Sequence, residues 1–167
     1  KSNEIDKAME IYQRLSDTVD VNDLVSLGIN FGERELFEQA IKLLERAVRL
    51  SPNLYEAHYN LGLMYFRTQH EKEAKEHFAR ALELHPYSFE ASSLLGVVLS
   101  QVGKTDEAIH ALKRAQSMKP DDLQVVTLLS LQLIEGRYYT ESMKTINVAL
   151  KQWPGNLDLN LLLIQTY

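Results

Sequence analysis

Four of the five histidines lie close together in the sequence, and histidine is the commonest side chain that binds transition metals. They are His58, His70, His77 and His85. A helical zinc site needs two histidines about one turn apart, whereas His70 and His77 would be two turns, or roughly 10 Å, apart on a common helix. The spacing therefore predicts no metal site, and we expect His58 to be a partly buried core residue.

A zinc-protease pattern begins at His70 but is not completed. The segment His70-Glu71-Lys72-Glu73-Ala74 starts like the motif in which two histidines, four residues apart on a helix, bind zinc. Alanine occupies the position of the required second histidine. The segment therefore predicts no catalytic zinc.

A glycine-rich segment resembles part of a phosphate-binding loop. Six residues separate Gly96 from Gly103-Lys104-Thr105, where that loop allows four. The residues between the glycines are expected to be helical, so their N–H groups would not surround an anion. We interpret Gly103 as a turn residue and Thr105 as the N-cap of a helix with acidic residues in its first turn. No nucleotide or other cofactor is predicted.

Composition excludes several classes of function. The 167 residues include 18 basic and 23 acidic side chains, a net charge of −5, and no cysteine. The acidic balance argues against nucleic-acid binding, and no apolar run approaches the roughly 20 residues of a membrane span. The cytoplasm is favoured as the compartment, although the periplasm is also compatible. Lys1 in place of methionine predicts that the chain is a piece of a longer protein.

The chain repeats itself at a fixed interval. Each proline lies 34 residues after the one before, and columns of leucine, small residues and alanine keep the same step. The prolines are Pro52, Pro86, Pro120 and Pro154. The other columns are Leu27, Leu61, Leu95, Leu129 and Leu163; Gly28, Gly62, Gly96 and Ser130; and Ala47, Ala81, Ala115 and Ala149.

Each repeat is predicted to form two antiparallel helices. Apolar residues recur every three to four positions, polar residues or glycine interrupt the pattern at its centre, and proline ends it. The short connections favour antiparallel neighbours, and the small-residue column lets two helices approach closely. The predicted repeats are 21–54, 55–88, 89–122 and 123–156. A second helix at Asn3–Leu15, within 1–20, precedes them, and 157–167 is the first helix of a truncated repeat.

This pattern resembles the tetratricopeptide repeat. The second complete unit contains the signature residues Leu61-Gly62, Tyr65, Ala74, Phe78, Ala81 and Pro86. The resemblance covers residues 21–167. It implies an all-α fold, an α-solenoid in which antiparallel helix pairs stack into a right-handed superhelix.

The resemblance also implies where a partner would bind. In this family the first helices line a concave groove. The residues expected to face it are Val25, Ile29, Glu56, Tyr59, Asn60, Leu63, Phe66, Glu90, Val97, Leu131 and Ile134. The same columns continue through Gln124, Thr127, Asp158, Leu161 and Gln165.

An apolar floor beside an acidic rim favours an amphipathic or basic peptide or protein as the partner. Part of the apolar set is equally well explained as packing between neighbouring first helices. We predict a non-catalytic scaffold that binds a peptide or helix in its groove. Two alternatives stay open: the recognition arm of a larger enzyme such as a glycosyltransferase, and a homo-oligomer assembled through the exposed terminal helices.

Overall fold

The computed structural model describes residues 20–167, and within that range the chain forms nine α-helices and no strand. They are α1 (Val21–Glu33), α2 (Phe37–Leu50), α3 (Tyr55–Arg67), α4 (Glu71–Leu84), α5 (Phe89–Gln101), α6 (Thr105–Met118), α7 (Leu123–Glu135), α8 (Tyr139–Gln152) and α9 (Leu157–Gln165). The prediction of an all-α fold is confirmed. The helix predicted at Asn3–Leu15 lies outside the described residues.

Consecutive helices contact each other along the chain and form a stack of pairs. First helices of neighbouring pairs also contact each other: α1 meets α3, α5 meets α7, and α7 meets α9. The first helices therefore form one layer of the solenoid, and their outward-facing side chains share one surface. None of the nine helices has the length and apolarity needed to cross a bilayer.

Small residues let the two helices of a pair approach closely. A Cβ atom built on Gly62 would lie 3.0 Å from two carbons of the Phe78 ring, and one built on Gly96 would lie 2.6 Å from Leu112 Cγ. Phe78 and Leu112 are fully buried at these contacts. The glycine column thus allows large side chains of the second helix to pack directly against the backbone of the first.

Each second helix ends two residues before a proline, as the repeat pattern predicts. The last helical residues are Leu50, Leu84, Met118 and Gln152, and the prolines are Pro52, Pro86, Pro120 and Pro154. Proline disfavours helical backbone at the residue before it and has no N–H to donate, so the helix cannot continue.

The turn inside each pair requires left-handed backbone at one position. Gly103 has φ of +71°, and the equivalent residues Glu35, Gln69 and Arg137 have φ of +62°, +62° and +63°. Side chains with a Cβ atom adopt this region at a cost of roughly 1–2 kcal/mol. The array therefore keeps the turn geometry in all four pairs but uses glycine in only one of them.

Gln69→Gly is expected to raise the free energy of unfolding by about 0.5–1 kcal/mol, because glycine adopts the left-handed conformation without steric strain. Gly103→Ala is the matched reverse change and should lower it by about 1 kcal/mol. A Cβ atom at Gly103 meets nothing within 4 Å, so its effect reports backbone strain alone. Urea unfolding followed by circular dichroism measures both; changes of the same sign would contradict the assignment.

Thr105 does not cap α6, contrary to the prediction. Lys104 occupies the N-cap position with φ of −91° and no side-chain cap hydrogen bond, and Thr105 is the first helical residue. The tight turn at Gly103 starts the helix one residue earlier than the polar side chain suggested. The acidic residues predicted for the first turn, Asp106 and Glu107, are there.

Gln132→Met is expected to stabilise the array by about 1 kcal/mol. Gln132 is fully buried on α7, where its Nε2 donates a hydrogen bond of 2.6 Å to the exposed Glu135 and its Oε1 accepts none from the described part of the chain. The equivalent residues of α3 and α5 are Met64 and Val98, which are buried and apolar. The thermal midpoint of unfolding tests this; Gln132→Ala, which leaves a cavity instead, should lower the midpoint.

Candidate functional site

An apolar cavity of about 560 Å³ opens between the first helices α7 and α9. Its volume lies within the range that peptide side chains or small ligands occupy in binding sites. The lining residues are Leu123, Gln124, Thr127, Leu128, Leu131, Asp158, Leu161, Leu162 and Gln165. We call this the α7–α9 cavity.

The two walls of the α7–α9 cavity are positioned by equivalent helix starts. The Asp122 side chain accepts a hydrogen bond of 2.9 Å from Val125 N at the start of α7, and the Asn156 side chain accepts one of 2.9 Å from Leu159 N at the start of α9. These caps begin the two helices at equivalent positions of the repeat. Side chains 34 residues apart therefore face each other across the cavity.

Apolar side chains dominate the cavity and remain open to solvent. Leu131 on α7 is 36% exposed and Leu161 on α9 is 58% exposed, although both are large aliphatic residues. Leu162 is buried between them and the core. Exposed apolar surface that is concave and shared by two helices is a typical feature of a protein-binding site.

The α7–α9 cavity carries one carboxylate at its edge. Asp158 lies in the exposed first turn of α9 and forms no ion pair with any of residues 20–167. Gln124 and Gln165 supply neutral polar groups on the two walls. The cavity therefore combines aliphatic anchoring positions with one acidic group that can bind a cation.

A smaller cleft of about 240 Å³ lies between α1 and α3. It includes three of the predicted groove residues, Ile29, Asn60 and Leu63. The Asn60 side chain donates a hydrogen bond of 2.7 Å to the Glu56 carbonyl oxygen, so its amide is held against its own helix. The cleft presents a mixture of apolar and polar groups rather than an apolar floor.

Val25 is not available to a partner, contrary to expectation. Its side chain is only 6% exposed and packs in the core around α1, α2 and α3. This core includes Leu24 and Leu61, and Val25 is enclosed by the adjacent helices. A residue in a groove-facing repeat column is therefore not always exposed to solvent.

Several other predicted groove residues combine packing with partial exposure. Tyr59, Leu63 and Phe66 are half-buried and pack against a core cluster that includes Phe78 and Val98. Val97 is also half-buried, and Ile134 packs against the core near α9. Packing between helices therefore accounts for part of this apolar set.

The acidic rim is partly neutralised within the chain. Glu90 accepts a hydrogen bond of 3.2 Å from Lys119 Nζ, which also lies 3.9 Å from the centre of the Phe89 ring. Its own backbone N–H and Lys119 hold the pKa of this carboxyl below the ordinary value, although partial burial acts in the opposite direction. Glu56 is exposed in the first turn of α3. Because Glu90 is already paired with Lys119, it should attract a basic partner less strongly than its position in the sequence suggested.

The structure brings together two histidines that spacing along the chain did not connect. His58 Nδ1 on α3 and His77 Nδ1 on α4 are 3.0 Å apart, and His58 Nε2 lies 3.0 Å from the Pro52 carbonyl oxygen. His58 is 6% exposed, in agreement with its predicted place in the core. Among residues 20–167, no group of three or more histidine, aspartate or glutamate side chains is arranged to bind a metal.

The repeat columns predicted most of the residues that line the α7–α9 cavity. Six of its nine lining residues were expected to face the groove: Gln124, Thr127, Leu131, Asp158, Leu161 and Gln165. Sequence reasoning missed Leu123, Leu128 and Leu162, and it did not indicate that the apolar cavity opens at this end of the array. The histidine pair had no such signal, because equivalent positions in other repeats contain no histidine.

A stack of antiparallel helix pairs with a surface lined by first helices defines an α-solenoid repeat protein. Solved structures share this fold. YrrB, described as a TPR protein with an unusual peptide-binding site, matches with a TM-score of 0.86 and 21% identity, covering 95% of this chain and 81% of that one. MamA matches with a TM-score of 0.78 and 26% identity, covering 92% of this chain and 91% of that one.

A tetratricopeptide repeat protein from Parabacteroides merdae matches with a TM-score of 0.78 and 17% identity, covering 87% of this chain and 58% of that one. The family model of the anaphase-promoting complex, cyclosome, subunit 3 matches residues 33–115. None of the curated proteins compared with this chain matches it. The chain is a tetratricopeptide repeat protein.

Proposed function

We propose that the chain is a non-catalytic protein-interaction module that binds an amphipathic or basic peptide segment of a partner at its first-helix surface. The α7–α9 cavity is the observation that carries this proposal. It leaves Leu131 and Leu161 exposed on facing walls, where a partner can bury them. The fold supports the same class of function, since related solenoids use this surface for ligands.

Binding would be driven by burial of apolar side chains. Two aliphatic or aromatic residues of a partner helix, spaced three or four positions apart, can enter a groove of this kind together. Their burial against Leu128, Leu131 and Leu161 would supply most of the affinity. The module needs no cofactor for this interaction.

Asp158 would determine the orientation of the partner. Its carboxylate forms no ion pair within residues 20–167 and lies at one edge of the cavity, so a lysine or arginine beside the apolar anchors would be placed at that edge. A carboxylate at this edge of the ligand would instead be repelled. The proposed preference is therefore for apolar anchors with a basic residue on one side.

The solved structure of YrrB is described as having an unusual peptide-binding site. At 21% identity this similarity concerns the fold and assigns no binding residue in this chain. The smaller cleft between α1 and α3, with Ile29 and Leu63, would extend the same surface for a longer ligand.

Selection from a random peptide library on the immobilised chain tests the proposal. We expect enriched peptides to contain two large apolar residues at helical spacing and a flanking lysine or arginine. Binding of a selected peptide should slow amide hydrogen exchange in α7 and α9, the two helices that line the α7–α9 cavity. Enrichment of acidic peptides, or protection confined to the opposite face of the solenoid, would refute the proposal.

A further inference from the structure

We propose that His58 and His77 form a proton-sensitive latch that makes the α3–α4 pair the acid-labile part of the solenoid. The inference is independent of the proposed binding function. It rests on the hydrogen bond between the two histidine rings, and on the bond from His58 to the Pro52 carbonyl oxygen, which determines which ring donates and which accepts. It also rests on the absence of ionisable side chains at the equivalent positions of the other described pairs.

The geometry determines where the protons lie. A carbonyl oxygen can only accept, so His58 Nε2 carries a hydrogen that it donates to Pro52 O. When His58 is neutral, its Nδ1 is therefore unprotonated and accepts the hydrogen bond of 3.0 Å from His77 Nδ1–H. The neutral pair has a single arrangement that satisfies both bonds.

A first added proton is compatible with this arrangement, because it can bind to His77 Nε2 and leave the bond between the Nδ1 atoms intact. A second proton places hydrogen on both Nδ1 atoms, which are 3.0 Å apart. The hydrogen bond is then lost, and two positive charges face each other at the centre of the helix pair. Full protonation therefore weakens the contact between α3 and α4 and favours local opening of this pair.

The groups around the pair determine the pH at which this happens. Burial lowers the pKa of both rings, and the neighbouring ring lowers that of His77 further. The hydrogen bond to the Pro52 carbonyl oxygen opposes this effect on the pKa of His58, as does Glu83 on α4, whereas Arg80 lowers that pKa further. Carboxylates from two helices favour charge on His77: Glu73 and Glu76 on α4, and Glu45 on α2. The Tyr65 ring stacks on His77 with centroids 5.6 Å apart, and its hydroxyl donates to Glu45.

The sign of the pH effect follows from the lowered pKa values. In the range below the ordinary histidine value of 6.5, the unfolded chain binds protons that the folded pair does not bind. The stabilisation from the pair is therefore complete above that value and is lost as the pH falls below it.

The other helix pairs have no equivalent group. At the positions of His58 and His77 they contain Leu24 with Leu43, Ser92 with Ala111, and Val126 with Thr145. Neighbouring pairs of a solenoid unfold in part independently, because each contacts only its neighbours. Loss of the latch would thus affect α3 and α4 first and leave α7, α8 and α9 folded.

Hydrogen exchange of the intact chain tests the latch. Between about pH 7.5 and about pH 5, amide protection in α3 and α4, corrected for the intrinsic exchange rate, should fall about tenfold more than in α7 and α8. Trp153, the only tryptophan, packs near α9 and reports the C-terminal part by fluorescence. At the lower pH, urea should reduce the circular dichroism signal before it changes this fluorescence.

The double variant His58→Leu with His77→Leu copies the leucines of the first pair and should abolish the pH difference. His77→Leu alone is a second variant for the case in which the double variant does not fold. His110→Gln, which changes an exposed histidine on α6, should retain the response of the unmodified chain. Equal loss of protection along the whole array, or an unchanged pH response in a folded latch variant, would overturn the proposal.

Nuclear magnetic resonance of the histidine side chains supplies a direct readout. At neutral pH, His58 should carry its hydrogen on Nε2 and His77 on Nδ1, with a scalar coupling across the bond between the two Nδ1 atoms. The opposite tautomers would overturn the assignment of donor and acceptor on which the latch depends.

Discussion

Replacing both Leu131 and Leu161 by glutamate is expected to weaken binding of a library-selected peptide by about 100-fold or more. These two leucines line opposite walls of the α7–α9 cavity and are exposed before binding. The change removes two apolar contacts and would force two carboxylates to lose water when an apolar ligand enters. Isothermal titration calorimetry measures the dissociation constant.

Leu157→Glu is the matched control for this experiment. Leu157 belongs to the same helix as Leu161 and is 77% exposed, but it does not line the cavity. The control adds one carboxylate to the same helix, whereas the double variant adds two in all, so a general electrostatic effect would appear in both proteins and be smaller in the control. We expect Leu157→Glu to retain affinity within about threefold, because exposed charges at this distance are screened by salt. Equal losses would remove the cavity from the binding site.

Phe78→Ala is expected to lower the free energy of unfolding by about 3–5 kcal/mol. The Phe78 ring is fully buried, fits against the backbone at Gly62 and contacts the Tyr59 ring at a centroid distance of 6.1 Å. No nearby side chain can occupy the space without moving α3 against α4, so much of the cavity should remain. Urea unfolding followed by circular dichroism measures the loss.

Phe66→Ala is the control for this substitution. Phe66 is the same residue type in the same helix pair, but it is half-buried on the first-helix surface. Its removal should cost only about 1–2 kcal/mol, since less apolar area is returned to water. If both variants lost the same stability, Phe66 would be as important to the core as Phe78, and its assignment to the binding surface would be wrong.

These variants separate stability from recognition along the same array. Phe78 lies inside the α3–α4 pair, whereas Leu131 and Leu161 lie on a surface that the described part of the chain leaves open. A binding defect in the cavity variant without a change in unfolding would support the proposed module. The same loss accompanied by unfolding would not distinguish recognition from folding, so both measurements are made on each protein.

Much of the fold follows from local sequence patterns. The proline step placed the ends of the second helices, because proline interrupts a helix whatever its surroundings. Gly62 and Gly96 identified the close contacts within pairs, where the missing Cβ atom admits Phe78 and Leu112. The left-handed turns at Glu35, Gln69 and Arg137 were less visible, because only Gly103 has the residue type that this geometry favours.

The binding surface was less predictable, for a different reason. Repeat columns placed Leu131 and Val25 on one set of helix faces, but the structure leaves the first exposed and buries the second. Exposure depends on how closely neighbouring helices approach, and that distance is set by side chains on several helices together. Glu90 illustrates the same limit, since its partner Lys119 comes from the loop that follows α6.

Sequence alone determined the period, the helix pairs and the turn positions, since each depends on residues within a few positions of one another. The tertiary structure determines which leucines of the first helices remain exposed to solvent and which histidines are in contact. His58 and His77 are 19 positions apart and on different helices, so their contact depends on how α3 and α4 rotate and cross. Helix rotation and spacing arise from the packing of the whole stack, which no single stretch of sequence encodes.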